Sequence, residues 1–392
     1  MCSRMRREAA AASASSAPNH CAEAHSSNRP TSVNPSVTPK RIERSLAAWV
    51  QTTTGSPESA SADPSRAPLH KPLRCTCILD VVADRKIPGT VLDQLPETSA
   101  REEAMPSRLA AGLHEIAIDG VRQPYRVAGQ GPVCVLHPGG PGATAGYLRM
   151  PEVEEHLTCV YVEPVGTGDS GRLPDPDGYT VDTYVRFLHA VVEHLDQPSV
   201  YLLGHSYGGF VAQTYAARHS DRLTGIILYD TAAVAGPELM TAAAGNAEQW
   251  AEDHREHEDA AEVLKAFKTF AEASSDEERV LRHRAFYPLY LADYWGDLDK
   301  YRSLQQARHL WTVSSGSAPP FNGRPLLAEI KLPTLVIAGR HDFICGTNWA
   351  AELVAGIAGA RGVTLEHSGH FGHVEEPDAF AHAVLQFAGI AH

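Results

Sequence analysis

The chain has 392 residues, a formal net charge of −13 and 43% hydrophobic residues. The negative charge argues against nucleic acid or an anionic membrane surface as a partner, because both repel an acidic protein. We find no apolar stretch long enough for a signal-peptide core or a membrane span. The seven cysteines are odd in number and scattered, so the sequence predicts a reducing, cytoplasmic location.

Residues 1–104 differ sharply in composition from the rest of the chain. They are dense in Ala, Ser, Pro, Thr and Arg and lack a sustained apolar periodicity, so they cannot bury enough surface to offset the entropy lost on ordering. We expect a disordered extension or a misassigned start, with Met105 as an alternative first residue. The Arg-containing, acid-poor segment 1–50 leaves a targeting peptide as a second possibility.

Residues 105–392 are predicted to form one α/β domain. A hairpin over 113–118 and 121–127, turning at Asp119-Gly120, is expected at an antiparallel edge. Short apolar runs then alternate with helical patterns, which indicates a mostly parallel sheet with helices on both faces. The predicted strands are 133–136, 159–162, 200–203, 226–229, 334–338 and 363–366, and the clearest helices are 181–195, 349–357 and 377–388.

A glycine-rich loop, His137-Pro138-Gly139-Gly140-Pro141-Gly142, follows the run 133–136. Backbone N–H groups can approach a developing oxyanion only where side chains are absent. An ordinary Pro/Gly turn is the alternative, but the position between the first strands favours an oxyanion loop. We predict the amide of Gly140 as one donor.

A second glycine-bounded turn, Gly204-His205-Ser206-Tyr207-Gly208, joins the run 200–203 to an Ala-rich helix. A serine hydroxyl is a poor nucleophile, and a tight strand-to-helix turn exposes it to a base with backbone donors beside it. A chance serine in such a turn is the alternative. The context predicts Ser206 as the nucleophile and the Tyr207 amide as the second oxyanion donor.

An acid and a histidine follow in the order this chemistry requires. Asp342 lies after the run 334–338, and His370 lies after the run 363–366. The histidine removes the serine proton, and the acid fixes the tautomer of the ring and stabilises the imidazolium. Asp230, at the end of the run 226–229, is the competing acid.

A metal cluster is an alternative interpretation of His367, His370 and His373. No cysteine or carboxylate pattern with metal spacing accompanies them. We therefore predict no metal and no other cofactor.

The segment 231–325 is helical in pattern, charged and rich in aromatic residues. It is predicted to be a helical cap inserted into the domain. Most of its aromatic side chains are expected to pack the cap onto the sheet, and a few to line a substrate pocket, since ligand sites are mainly apolar.

Together these motifs resemble the proline iminopeptidase branch of the α/β-hydrolases, from about residue 113 to the C-terminus. The resemblance implies the α/β-hydrolase fold and a serine enzyme that removes an N-terminal residue, typically proline, from short peptides or arylamides. Ser206, Asp342 and His370 match the family's triad, and Gly140 and Tyr207 match its oxyanion donors.

Three sequence features differ from that family pattern. Pro138 separates His137 from Gly-Gly-Pro-Gly, and Glu163-Pro164-Val165-Gly166 replaces the family's Asp-Gln-Arg-Gly. We also find no counterpart of the cap motif whose Glu residues hold the substrate's amine. An esterase or lactonase acting on a small metabolite is therefore the alternative, and a non-catalytic binding scaffold is a third hypothesis. The expected partner is a small-molecule or short-peptide substrate, with the oligomeric state left open.

Overall fold

The computed structural model describes residues 107–307, 311 and 313–391. The predicted extension 1–104 lies outside these residues. The strands are β1 (Gly112–Ile118), β2 (Val121–Gly129), β3 (Val133–His137), β4 (Thr158–Val162), β5 (Val200–His205), β6 (Leu223–Tyr229), β7 (Thr334–Gly339) and β8 (Arg361–Leu365). They form one sheet in the order β1-β2-β4-β3-β5-β6-β7-β8.

The first two strands form the predicted hairpin at the antiparallel edge of the sheet. Asp119 and Gly120 have φ values of 51° and 78°, as a two-residue turn with both central residues at positive φ requires. The strand β2 also pairs antiparallel with β4, whereas β3 to β8 pair in parallel. The predicted α/β-hydrolase fold class is confirmed.

The helices cover both faces of the sheet and fill the connections between parallel strands. They are α1 (Pro151–Glu154), α2 (Val181–Leu195), α3 (Tyr207–Arg218), α4 (Pro237–Asp253), α5 (Ala260–Lys268), α6 (Asp276–Ala285), α7 (Leu298–Ala307), α8 (Arg324–Leu327), α9 (Thr347–Gly356), α10 (Gly372–Glu375) and α11 (Pro377–Phe387). Within the described residues, no helix is both long and apolar enough to cross a bilayer.

The central strands are buried on both faces, which explains why they read as continuous apolar runs. Along β3, Cys134 and Leu136 face one core cluster, whereas Val133 and Val135 face the other. This alternation follows from the two-residue period of a strand. Two cores therefore enclose the sheet and fix the positions of the loops at its carboxyl edge.

Several predicted boundaries move by one or two residues. The last strand ends at Leu365 rather than Glu366, whose carboxylate instead pairs with Arg340 at 2.8 Å on the surface. The final helix ends at Phe387. Gly389, with φ of 73°, stops it by donating to the carbonyl of Gln386, as a glycine just beyond a helix end commonly does.

The helices α4 to α8 lie between β6 and β7, and α4 to α7 fall in the segment predicted to be a cap. The two ends of this segment are joined by backbone hydrogen bonds. Ala235 donates to the Phe321 carbonyl at 2.9 Å, and Gly323 donates to the Ala233 carbonyl at 2.7 Å. A segment that leaves and re-enters the domain at one point has the connectivity of an insertion, and the cap over 231–325 stays a prediction.

Candidate active site

Ser206 occupies a strained turn between β5 and α3. Its φ of 54° and ψ of −120° are unusual for a residue with a side chain. A Cβ on Gly204 would lie 2.3 Å from the Gly208 carbonyl oxygen, and a Cβ on Gly208 would lie 2.2 Å from the His137 carbonyl oxygen. The glycines are needed because the strand, the helix and the neighbouring β3 end approach too closely for side chains.

His370 and Asp342 form a buried pair on the loops after β8 and β7. Nδ1 of His370 lies 2.7 Å from Oδ2 of Asp342, and both side chains are almost fully buried. The other carboxylate oxygen, Oδ1, accepts hydrogen bonds from the backbone amides of Ile344 at 2.9 Å and Cys345 at 3.1 Å. The Asp342 carboxylate therefore has a fixed orientation, in which Nδ1–H of the ring donates to it and leaves Nε2 as the basic nitrogen.

The base loop lies directly against the serine turn. His205, the residue before Ser206, has a ring nitrogen 2.9 Å from the His370 carbonyl oxygen. The centroids of the two imidazole rings are 4.6 Å apart. The structure thus brings the predicted serine, histidine and acid together at the carboxyl edge of the sheet.

Asp230, the competing acid, has different partners. Its side chain is fully buried, and Oδ1 accepts the Gly339 amide at 2.8 Å. Among the described residues no hydrogen-bond donor reaches Oδ2. Burial, reinforced by the neighbouring Asp342 charge, raises the pKa of Asp230 well above its usual value. The structure places Asp342, and not Asp230, on the His370 ring, and the burial of Asp230 disfavours its charged form.

The glycine-rich loop after β3 lies beside the serine. A Cβ on Gly139 would be 3.3 Å from Ser206 Oγ, and the Gly139 amide is already bound to the hydroxyl of Tyr147 at 2.7 Å. Gly140 follows with φ of 129°, and the Tyr207 amide begins α3, where N–H groups point out of the helix. Gly140 and Tyr207 therefore remain the candidate oxyanion donors.

The other histidines named in the sequence analysis lie in environments that differ from that of His370. The nitrogens of His373 lie 2.9 Å from the Tyr229 hydroxyl and 2.8 Å from the Tyr147 carbonyl, and burial lowers the pKa of His373 to about 4. His367 is exposed. Burial likewise lowers the pKa of His137 to about 4, so this residue before the glycine-rich loop is a neutral core histidine.

Within the described residues, one group of possible metal ligands converges: His205, Asp230 and His370, whose ligand atoms lie within 4.8 Å of one another. Both nitrogens of His205 already contact protein groups, and Nδ1 of His370 contacts Asp342. Hydrogen bonds within the protein account for this arrangement, so we assign it no cation.

Two half-buried glutamates support the loops, and the sequence reasoning missed both roles. Oε2 of Glu163 accepts the Ala145 amide at 3.0 Å, next to the glycine-rich loop. Glu375 accepts the Ala292 amide at 2.7 Å and the Gly369 amide at 2.8 Å, which ties the segment 231–325 to the base loop. Burial raises the pKa of each to about 7.

The sheet order, the serine turn and the acid–histidine pair are those of an α/β-hydrolase. A family model for the alpha/beta hydrolase fold matches residues 132–377, and the chain belongs to that family. It is 28% identical over 284 residues to a 2-hydroxymuconate semialdehyde hydrolase of Pseudomonas sp. (strain CF600), covering 70% of this chain and 92% of that protein.

A proline iminopeptidase of Lactobacillus acidophilus is 27% identical over 286 residues, covering 67% of this chain and 92% of that protein. Among solved structures, the enol-lactonase from Burkholderia xenovorans LB400 shares the fold, with a TM-score of 0.55, 23% identity and coverage of 70% of this chain and 100% of that one. Relatives of differing specificity thus match about equally well, and the family assignment does not select a substrate.

Proposed function

We propose that the protein is a serine hydrolase that works through an acyl-enzyme on Ser206. The observation that carries this proposal is the buried pair of His370 and Asp342 at 2.7 Å, held against the strained serine turn. A carboxylate fixed by two backbone amides, with a histidine whose second nitrogen remains basic, is the arrangement that activates a serine hydroxyl.

In the first half of the reaction, Ser206 Oγ attacks the substrate carbonyl carbon while His370 Nε2 takes the hydroxyl proton. The negative charge on the carbonyl oxygen is stabilised by the amides of Gly140 and Tyr207. The imidazolium then protonates the leaving group, and the bond between the carbonyl carbon and that group breaks. Asp342 stays ionised throughout and stabilises the imidazolium.

In the second half, water attacks the ester formed on Ser206. His370 accepts the proton of the water and returns it to Ser206 Oγ as the acid product leaves. The half-buried Glu163 contributes indirectly, since it holds the Ala145 amide and so supports the loop that carries Gly140.

The first candidate substrate class is an N-terminal amide, as in an iminopeptidase or amidase. The Gly-Gly-Pro-Gly loop and the sequence relationship to the Lactobacillus iminopeptidase support it. A peptidase of this kind needs a carboxylate for the substrate ammonium, because an unpaired ammonium in a closed pocket is costly.

The second candidate class is an ester or lactone, and one structural observation favours it. In the segment 231–325, every acidic side chain that the structure describes is exposed or half-buried. Several of these carboxylates already bind arginine or lysine at the surface, including Glu238 with Arg324 and Glu248 with Lys268. An ester or lactone needs no such carboxylate.

Two experiments test the proposal. A fluorophosphonate should label wild-type protein at Ser206, and Ser206→Ala should lose activity by about a thousandfold or more. Wild-type turnover in that variant, or an unlabelled serine, would refute the mechanism and favour a non-catalytic scaffold. A panel of prolyl and alanyl arylamides, short-chain p-nitrophenyl esters and lactones then separates the two substrate classes.

A further inference from the structure

A chain of buried hydrogen bonds runs behind the candidate active site. The Gly139 amide lies 2.7 Å from the Tyr147 hydroxyl, which lies 2.7 Å from Nδ1 of His205. Nε2 of His205 lies 2.9 Å from the His370 carbonyl oxygen. Tyr147 is 3% exposed and His205 is fully buried, so these bonds are made away from solvent, where losing a partner costs most.

For a neutral His205 ring, the partners fix the direction of every hydrogen bond in the chain. A carbonyl oxygen only accepts, so Nε2 of that ring carries the proton and Nδ1 accepts. The Tyr147 hydroxyl therefore donates to Nδ1, and its oxygen accepts the Gly139 amide. One consistent arrangement satisfies all of these groups, and it requires both the tyrosine hydroxyl and a ring with two nitrogens.

The chain joins three loops that each carry one part of the proposed chemistry. Gly139 precedes the candidate oxyanion donor Gly140, and His205 precedes Ser206. The third contact is the backbone of His370 itself. Ring packing reinforces the links, since the Tyr147 and His205 centroids are 5.5 Å apart and those of His205 and His370 are 4.6 Å apart.

We propose that Tyr147 and His205 are positioning residues, forming a bridge that fixes the oxyanion loop relative to the serine and its base. The inference rests on the proposed function. The hydrogen bonds of the bridge end on the Gly139 amide and the His370 carbonyl. The two side chains act through Gly139 and the His370 backbone, and misplacement of a catalytic group by about 1 Å can cost about a hundredfold in rate.

The first test removes a single oxygen. Tyr147→Phe keeps the ring but leaves the Gly139 amide and Nδ1 of His205 without their shared partner. We expect kcat on the best substrate of the panel to fall about 10- to 100-fold while KM changes less than about threefold, because the bridge acts on the transition-state geometry rather than on substrate binding.

A matched control exists in the other core of the domain. The hydroxyl of Tyr215, on α3, lies 3.1 Å from Nδ1 of His189, on α2, and Tyr215 is fully buried. Tyr215→Phe thus also breaks a tyrosine–histidine bond, which here is half-buried and remote from the three loops. It should leave kcat within about twofold of wild type.

A double-variant cycle tests whether the two residues act as one unit. His205→Gln can still donate to the His370 carbonyl, whereas His205→Leu loses both ends of the bridge, so the glutamine variant should retain more activity. The double variant Tyr147→Phe/His205→Leu should be no slower than the slower single variant, since residues of one network are not additive. Independent, multiplicative losses would overturn the bridge.

Fluorophosphonate labelling separates failure of the bridge from failure of the proposed function. If wild-type Ser206 is not labelled, the hydrolase mechanism fails, and the catalytic role of the bridge fails with it. If wild-type protein is labelled and Tyr147→Phe has the same kcat as Tyr215→Phe, the mechanism stands and the bridge is refuted. If Tyr147→Phe does not fold, the kcat of His205→Gln is compared with that of His205→Leu instead. A higher kcat in the glutamine variant supports the bridge, and equal values refute it.

Discussion

Replacing Asp342 by asparagine tests the assignment of the acid most directly. Oδ1 of Asp342 accepts two backbone amides, from Ile344 and Cys345. In Asp342→Asn only the amide oxygen can accept those bonds, so the new NH₂ group must face Nδ1 of His370. The native contact there is 2.7 Å long, too short for two N–H donors to oppose each other.

The ring escapes this conflict by changing tautomer. Nδ1 then accepts from the asparagine NH₂, and the proton moves to Nε2, which can no longer take the proton of Ser206. The substitution also removes the charge that stabilises the imidazolium. A loss of about 10⁴-fold in kcat is expected for this combination, equivalent to about 5.5 kcal/mol of transition-state stabilisation.

Asp230→Asn is the matched control. Burial disfavours the charged form of Asp230, and asparagine is an uncharged side chain of nearly the same shape. Its oxygen can still accept the Gly339 amide. We expect kcat within about fivefold of wild type near neutral pH, since this hydrogen bond is kept and an uncharged side chain suits the buried site.

The assay is steady-state kinetics of both variants on one substrate, with circular dichroism to establish that each is folded. A large loss in Asp230→Asn together with a small loss in Asp342→Asn would refute the reasoning. The acid would then belong to the end of β6, and the contact between Asp342 and His370 would have to be structural.

The arrangement of the sheet could be predicted because its signals are local. The parallel strands are short apolar runs, and the hairpin is marked by Asp119-Gly120. The order of serine, acid and histidine along the chain is itself a fold signal, because these residues follow β5, β7 and β8 at one edge of the sheet. Each candidate could therefore be predicted from its place in a loop immediately after a strand.

The supporting contacts could not be predicted, because they depend on how the fold brings loops and side chains together, in several cases across many residues of sequence. Nothing near Tyr147 indicates that its hydroxyl reaches both Gly139 and His205. The roles of Glu163 and Glu375 also depend on which backbone amides the fold brings to them. A clue existed for Glu375, since Glu375-Glu376-Pro377 places acids at the start of the last helix, but composition alone suggests capping rather than a link to residue 292.

The choice between Asp230 and Asp342 shows the same limit in a single pair. Both follow apolar strands, and the resemblance to the family, rather than the local sequence pattern, favours Asp342. Only the pairing of β6 with β7 and the position of Gly339 show that Asp230 is turned toward a backbone amide. Asp230 is buried with one hydrogen bond, whereas Asp342 is buried with three. Only the tertiary structure shows this difference.

Three further predictions address the extension, the serine turn and the half-buried Glu163. A chain beginning at Met105 should keep the kcat/KM of the full chain, because every candidate site residue lies between 139 and 370; a changed substrate preference would show that residues 1–104 contribute to the site. Gly208→Ala should abolish activity and lower the melting temperature, since its Cβ would lie 2.2 Å from the His137 carbonyl oxygen. The control is Gly245→Ala on α4, where no atom lies within 4 Å of the new Cβ. That substitution should leave the stability unchanged or raise it slightly. Burial raises the pKa of Glu163 from 4.5 to about 7, so folding favours the protonated carboxyl group. The contribution of Glu163 to the free energy of unfolding is therefore fully present below about pH 4.5, and it is lost as the pH rises through about 7. Glu163→Gln, which can still accept the Ala145 amide, should remove this loss, worth at most about 3 kcal/mol. Urea unfolding at about pH 5 and about pH 8 measures it, and an equal pH dependence in wild type and variant would show that Glu163 ionises in the folded protein as readily as in the unfolded chain.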